Sequence, residues 1–443
     1  MSNHKTFRKG GIHPVANKNA SRIIELLPLP MKAILPLSQH IGAPAKAVVA
    51  KGQAVVRGQV VAENASFVSS GIHSPITGTV TAIEPMVNPQ GKPGMAIVIT
   101  ASYEQHEADE IARCEYWAKL VPGESDRTLS EKTSQDEIRS AIAAAGIVGL
   151  GGAAFPKRVK LSLKPEQHPE ILIINGCECE PYLMCDDSLM CTYPGRVVEG
   201  VELMMKAAGI DRAVIAVEDN KPEAAKALID ALDTAYDIKV EILKTKYPQG
   251  GEKQLIEAVT GRRVGSGELP ISVGVVVHNV ATAFAVWQAV ATSMPLIERV
   301  VTVTGDIATE QRRNYIAAIG TPLSEFPFTL PDEARVVVGG PMMGKTATRL
   351  DAPVTKGTSG ITILGQTRRR PVQACIRCGA CMDACPMGLE PYLLSTYGRM
   401  QMWAEARSAM VADCLECGAC SYSCPSSRPL LDYIRLAKQR IRK

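Results

Sequence analysis

The chain has little of what would place it in a membrane or outside the cell. The uncharged stretch from Ser140 to Pro156 has 17 residues and contains four glycines, short of the roughly 20 apolar residues of a spanning helix. No transmembrane segment is expected. Met1 to Asn19 lacks the apolar core of a secretory signal, and a net charge of +4 gives no electrostatic basis for nucleic-acid binding. These absences predict a reducing cytosolic compartment, with any membrane attachment made through partners and no nucleic acid bound. Basic residues gather late, at Arg435, Lys438, Arg440, Arg442 and Lys443. A solvated terminal helix is a simpler reading of them than an acidic docking site.

What the chain has is cysteine. Of 13 in 443 residues, eight fall into two copies of one pattern. Cys375, Cys378, Cys381 and Cys385 precede Pro386, and Cys414, Cys417, Cys420 and Cys424 precede Pro425. Each copy reads C-x2-C-x2-C-x3-C-P, the spacing of two-cluster ferredoxins, in which the fourth cysteine ligates the other cluster. Cys375, Cys378, Cys381 and Cys424 are therefore expected to hold one 4Fe-4S cluster, and Cys414, Cys417, Cys420 and Cys385 a second. Paired structural zinc sites are the competing reading, but those separate two C-x2-C pairs more widely. Such clusters carry one electron at a time. The other five cysteines match no cluster spacing: Cys114 and Cys191 read as buried thiols, and Cys177, Cys179 and Cys185 as free thiols.

The length suggests about three domains, and 46% hydrophobic with 21% charged residues is ordinary for globular cores. Between Pro28 and Thr100, short alternating runs such as Gln53–Ala62 and Gly78–Ile83 predict strands joined by tight turns. The repeated Lys51-Gly-Gln and Arg57-Gly-Gln, followed by His73-Ser-Pro-Ile-Thr-Gly-Thr-Val, resemble the barrel-sandwich fold of biotinyl and lipoyl carriers. The tip segment Phe67–His73 has no lysine to modify, so no swinging arm is expected. Ser134-x-x-Glu137 predicts a capping box opening a helix that ends near Gly146. Thereafter strands at Ile171–Ile174, Ala213–Val217, Val240–Leu243 and Val273–Val277 alternate with helices at Val197–Ala208, Pro222–Ala235 and Val280–Thr292, predicting a largely parallel α/β sheet. Arg299–Gly305, a helix around Gln311–Ile319 and Ala334–Gly340 read as a smaller β-α-β unit. Thr367–Pro371 reads as a linker into the cysteine-rich region.

Two loops carry the remaining chemistry. Gly149-Leu-Gly-Gly-Ala-Ala-Phe-Pro156 contains G-x-G-x-x-A, but a helix precedes it and Phe-Pro interrupts it, unlike an ordinary Rossmann loop. Its small residues still let backbone approach a flat or phosphorylated ligand, with Lys157, Arg158 and Lys160 nearby. Asn175-Gly-Cys-Glu-Cys-Glu-Pro181 follows a predicted strand, where open α/β sheets bind ligands. Its carboxylates suit ribitol or ribose hydroxyls, or simply a solvated loop; a metal at Asp186 and Asp187 lacks supporting histidines.

G-x-G-G-A-x-F-P and N-x-x-E-x-E-P, with Gly251-Glu252, Leu255 and Asn279-Val280-Ala281-Thr282, resemble the FMN and NADH site of the flavin subunit of respiratory complex I. The resemblance implies that Gly149, Gly151 and Gly152 approach the flavin and Lys160 its phosphate. It further implies Asn175 and Glu178 at the isoalloxazine or ribityl chain, Glu252, His278 and Asn279 nearby, Phe155 stacked on the nicotinamide nucleotide, and Glu180 holding it. Cys177, Lys253 and His278 depart from that subunit's Asp, Glu and Asn.

Over nearly its whole length, from Phe7-Arg-Lys-Gly-Gly-Ile-His-Pro14 through Tyr247-Pro-Gln-Gly-Gly251 and Gly339-Gly-Pro-Met-Met-Gly344 to the doubled cysteine run, the chain resembles the RnfC subunits of Rnf electron-transport complexes. That family implies a multidomain α/β and α+β chain. Its modules would be a barrel-sandwich hybrid at 1–120, a Rossmann-like FMN/NADH domain at 121–296, a β-grasp soluble-ligand-binding domain at 297–365, and a ferredoxin-like domain with two 4Fe-4S clusters at 366–443. It also implies hydride exchange between NAD(H) and FMN, then single-electron transfer to or from other Rnf subunits, with ferredoxin reached indirectly and ion movement carried out elsewhere in the complex. The place would be the cytoplasmic face of the bacterial inner membrane. The alternatives are a soluble NADH-dependent reductase of a corrinoid or other small acceptor, and an electron relay without nucleotide binding.

Overall fold

The computed structural model describes residues 4–14, 18–87, 91, 93–120, 128–162, 166–366 and 370–441. Thr367, Arg368 and Arg369 of the linker, and the basic Arg442 and Lys443, lie outside these residues. Period-2 patterning builds the first module. Along Gly78–Val87, Val80 is buried while Thr79 and Thr81 face out, which pleating requires of a half-buried strand. Lys32–Pro36, Pro93–Thr100, Gly78–Val87 and Ala54–Val55 form one small sheet, and Lys46–Ala47, Val60–Glu63 and Ile72–His73 another. The strand Ile24–Leu26 belongs to neither: it pairs in parallel with Arg313–Ala318 in the third module. The helix Tyr103–Lys119, opened by a Ser102 capping box, turns Arg113 and Trp117 inward.

Ser134 and Glu137 form their capping box at the head of Gln135–Ala144. The apolar strands that follow pair in parallel in the order Asp237–Leu243, Arg212–Glu218, Ile171–Gly176, Val275–Asn279. Ile171 to Ile174 are all buried, because helices cover both faces of such a sheet. On one face Pro194–Ala208 and Val280–Thr292 approach so closely that a Cβ on Gly200 would strike the Ala283 carbonyl. The uncharged run from Leu269 to Ile297 is divided among a 3-10 turn, a strand and a buried 13-residue helix. No described helix is long and apolar enough to cross a membrane. The strand order reverses between Ile171–Gly176 and Val275–Asn279, where Asn175 and Asn279 stand side by side in register.

The third module corrects one expectation. No helix spans Gln311–Ile319; Arg313–Ala318 is an inner strand, antiparallel to Glu298–Val303. Asn314 to Ala318 are all buried, and Tyr315 meets Phe326 edge-on at 6.0 Å. Pairing on both edges overrides the helix preference of the alanines. The result is a mixed six-stranded sheet rather than a β-α-β unit.

In the last module Pro391–Met400 packs on Leu430–Ile441 over a core of Leu394, Ala406, Leu430, Ile434 and Ala437. Arg435 and Lys438 are not merely solvated. Arg435 pairs with Glu416 at 3.2 Å, and the Lys438 ammonium donates to the Cys414 carbonyl. Residues 7–12 cross over to this module: Gly11 N–H donates to the Ala384 carbonyl at 3.0 Å, and Gly10, at φ +67°, lies against Cys385, where a Cβ would strike the carbonyl.

Candidate cofactor and cluster sites

The repeated cysteine spacing produces repeated backbone geometry. Arg377 and Glu416 take left-handed φ values of 56° and 59°, and Gly379 and Gly418 both take 79°. Each turn bends an amide toward the sulfur two residues before it: Arg377 N–H to Cys375 Sγ and Glu416 N–H to Cys414 Sγ, both at 3.4 Å. Cys375, Cys378, Cys381 and Cys424 line one cavity of about 400 Å³. Cys385, Cys414, Cys417 and Cys420 line another. Each cavity thus takes three cysteines from one run and the last from the other, a donor set of four thiols that fits an iron-sulfur cluster. The quartets differ in exposure: Cys375 and Cys378 face solvent, whereas Cys385, Cys417 and Cys420 are buried.

The sheet's switch point opens two further cavities, of about 580 and 300 Å³, that share Gly151, Asn175, Gly250, Glu252 and Asn279. Asn175 Nδ2 donates to the Gly250 carbonyl at 2.8 Å while its Oδ1 accepts from Cys177 N–H. Asn279 Oδ1 accepts from Ala281 N–H, capping the helix that follows, and its Nδ2 donates to Asp186 at 2.7 Å. Burial first, then Glu178, pushes the Asp186 carboxyl up to about 7. Glycine is required where backbone comes close: a Cβ on Gly151 would lie 3.3 Å from Asn279, and one on Gly149 3.1 Å from Lys157 Nζ. Gly152, at φ +100°, has open space beside it.

The larger cavity has an unsatisfied polar end. His278 is 2% exposed, and neither ring nitrogen has a hydrogen-bond partner. Lys157 is 4% exposed and its ammonium makes no ion pair among the described residues. Burial pushes both pKa values well down, His278 further so because Lys157 and Lys160 stand near. A buried cation and two orphan ring nitrogens at a cavity wall fit an anionic ligand. Lys160, by contrast, is bonded to Glu252 at 2.7 Å. Phe155 and Ile41 line the opposite part of this cavity. Ile41 N–H donates to the Ala154 carbonyl, and Arg158 to the Ser66 and Phe67 carbonyls, so the lysine-free tip of the first module is pinned beside the glycine loop.

In the smaller cavity, Glu178 accepts from Asp186 and Asp187 N–H at 2.9 and 3.2 Å, heading the helix Cys185–Thr192. Its carboxylate also lies with Cys185 and Asp186 in one acidic group. Glu180 accepts from Met342 and Met343 N–H at 3.1 and 2.7 Å, which draws the glycine-rich 339–344 loop over the cavity. Burial raises its pKa to about 7. Lys18 fastens the acidic loop from outside, donating to the carbonyls of Glu178, Glu180 and Leu183. Sequence reading assigns Lys157 only general charge and Lys18 no role, since neither lies in a recognisable spacing with its neighbours in space. Cys177, Cys179 and Cys185 are free; Cys114 is exposed rather than buried, on the face of its helix turned away from Arg113 and Trp117. This cavity is also lined by Leu415 and Cys417, so it shares a wall with the second cysteine quartet.

Residues 142–288 match the family model of the Nuo51 FMN-binding domain, 5–104 the RnfC barrel sandwich hybrid domain, and 371–428 a 4Fe-4S dicluster domain. The chain is 41% identical to the RnfC-type subunit of a proton-translocating ferredoxin:NAD(+) oxidoreductase complex of Clostridium ljungdahlii, over 91% of this chain and 86% of that one. It is also 41% identical to the corresponding subunit of the Na(+)-translocating complex of Acetobacterium woodii, over 99% and 97%. In fold it is similar to a chain of an NAD+-reducing NiFe-hydrogenase in the H2-reduced state, with a TM-score of 0.53 at 22% identity over 74% of this chain and 66% of that one.

Proposed function

Because the chain belongs to the RnfC family, subunits of ion-translocating ferredoxin:NAD(+) oxidoreductase complexes, we propose that it exchanges electrons between NAD(H) and a partner subunit. It does so with FMN in the paired cavities and a 4Fe-4S cluster in each cysteine quartet. Bound FMN supplies the step between a two-electron hydride and one-electron carriers. The residues divide the work of holding it. Asn175 and Asn279 shape the floor at the switch point, the glycines of 149–152 admit the ligand to the backbone, and Lys157 with His278 receives its phosphate. Phe155 offers a face to the nicotinamide nucleotide. Glu180 contributes by holding the Met342–Met343 loop against the cavity.

The observation that carries the electron path is the shared wall. Leu415 and Cys417 line the same cavity as Asn175, Glu178 and Glu180, so the buried second quartet is the first stop for an electron leaving it. The first quartet, with Cys375 and Cys378 exposed beside Ile376 at 65% exposure, is the stop that faces a partner subunit. Ferredoxin is reached through that partner, and ion movement is assigned to other subunits. The chain is peripheral, held at the cytoplasmic face of the inner membrane by them. Titrating the anaerobically reconstituted protein with NADH tests this: flavin absorbance bleaches, then the clusters are reduced. Absence of bleaching refutes the flavin assignment, and bleaching without cluster reduction refutes the path.

A further inference from the structure

Tyr247 stands between the smaller cavity and the second quartet. It is 1% exposed, and with Pro248 it lines the cavity wall. Its hydroxyl donates to the Cys417 carbonyl at 2.7 Å. Its other packing partners are Ala384, Ala419 and Ile12. Two of these sit next to ligands of the same quartet, Ala384 before Cys385 and Ala419 before Cys420. Ile12 holds the tyrosine backbone from both sides, each N–H donating to the other's carbonyl at 2.8 Å. The ring is therefore fixed in place and touches three of the four ligand loops of one quartet.

We propose that Tyr247 is the positioning residue that couples the cofactor cavity to the second quartet, its ring forming the cavity wall and its hydroxyl fixing the Cys417 peptide. The inference rests on the flavin-to-cluster reading above. From ring to sulfur the path runs through the phenol oxygen, one hydrogen bond, the carbonyl, Cα, Cβ and Sγ of Cys417. It is bonded throughout, and bonded paths transmit electrons better than gaps of the same length. One electron crosses at a time from reduced flavin to the oxidised cluster; Tyr247 keeps its proton and is neither oxidised nor reduced. The same hydrogen bond orients the peptide dipole between Cys417 and Gly418, and dipoles around the sulfurs set cluster potential.

Tyr247→Phe removes the hydroxyl and keeps the ring. In the full chain, reconstituted anaerobically, reductive titration with dithionite followed by electron paramagnetic resonance reads each cluster without NADH. The expected result is a shifted midpoint for the second quartet and an unchanged one for the first. NADH-driven cluster reduction slows severalfold at unchanged flavin content. Iron content and the unfolding midpoint report the fold. Unchanged midpoints and rate overturn the proposal, and so does an equal shift or loss at both quartets. Failure of NADH to bleach flavin in the unsubstituted protein refutes the flavin reading instead, and leaves the dithionite comparison standing.

Discussion

Substituting Lys157 tests the cofactor site most directly, because its role can be separated from that of Lys160. Lys157 is buried at the cavity wall without a counter-ion, and His278 beside it has both nitrogens free. Lys160 already has Glu252 as its partner, the two side chains being 24% and 44% exposed. A charge-assisted hydrogen bond to a phosphate is worth about 1.5–3 kcal/mol, so Lys157→Met should weaken FMN binding by roughly 10- to 150-fold. Riboflavin, which has no phosphate, should bind the variant and the parent alike. Lys160→Met should lose less, since an exposed pair of this kind contributes about 0–1 kcal/mol. The ligand-free variant should also unfold at higher temperature, because a buried, uncompensated cation has been replaced by an apolar side chain of similar length. Fluorescence titration with both flavins and thermal unfolding of the apoprotein read these effects. Equal losses for FMN and riboflavin, or none for FMN, would refute the phosphate assignment.

Three other perturbations have defined outcomes. Glu298 is buried between Arg57 and Arg113, and Trp117 Nε1 donates to it at 3.0 Å; Glu298→Gln should destabilise the fold by about 3–5 kcal/mol in denaturant titration. Burial opposes the Glu298 charge, but Arg57 and Arg113 outweigh it and hold the pKa below the ordinary value. Its contribution is then present above the unfolded-state pKa and lost as pH falls through the depressed folded value, so Glu298→Gln should differ least from the parent in acid. Cys424→Ser should remove iron from the quartet of Cys375, Cys378 and Cys381, and Cys385→Ser from that of Cys414, Cys417 and Cys420; iron analysis with spectra of both variants checks the exchange of fourth ligands, which the reverse pattern would disprove. Glu180→Gln keeps one acceptor for the Met342 and Met343 amides but loses the charge, and should weaken NADH binding more than FMN retention. Equal weakening of both would show its role misassigned.

Sequence reading succeeds where the determinant is local. The capping box at Ser134 and Glu137 is a matter of three residues, and the apolar strands from Ile171 onward read directly because burial on both faces demands continuous Ile, Leu and Val. It fails where a distant partner decides. Arg313–Ala318 becomes a strand because Ile24–Leu26 and Glu298–Val303 flank it, and nothing within the segment announces either neighbour. Lys157 and Lys160 look alike in sequence; only Glu252, brought beside Lys160 by the fold, separates a neutralised cation from a free one. Cys114 faces outward because the inward face of its helix is set by two polar-capable residues, Arg113 and Trp117, that seek Glu298. Glu178 and Glu180 lie two residues apart in one motif, yet one heads a helix and the other holds a loop more than 160 residues away.

The crossing of residues 7–12 to the cysteine-rich module orders events during synthesis. Gly10 and Gly11 leave the ribosome early, but their seats against Ala384 and Cys385 do not exist until nearly the whole chain has been made. Contacts of such sequence separation form late and slowly. The second quartet, whose Cys385 loop these glycines press upon, is therefore closed only after translation has passed it. Iron delivered to that quartet meets a chain whose early residues are still undocked, and their arrival seals the metal in.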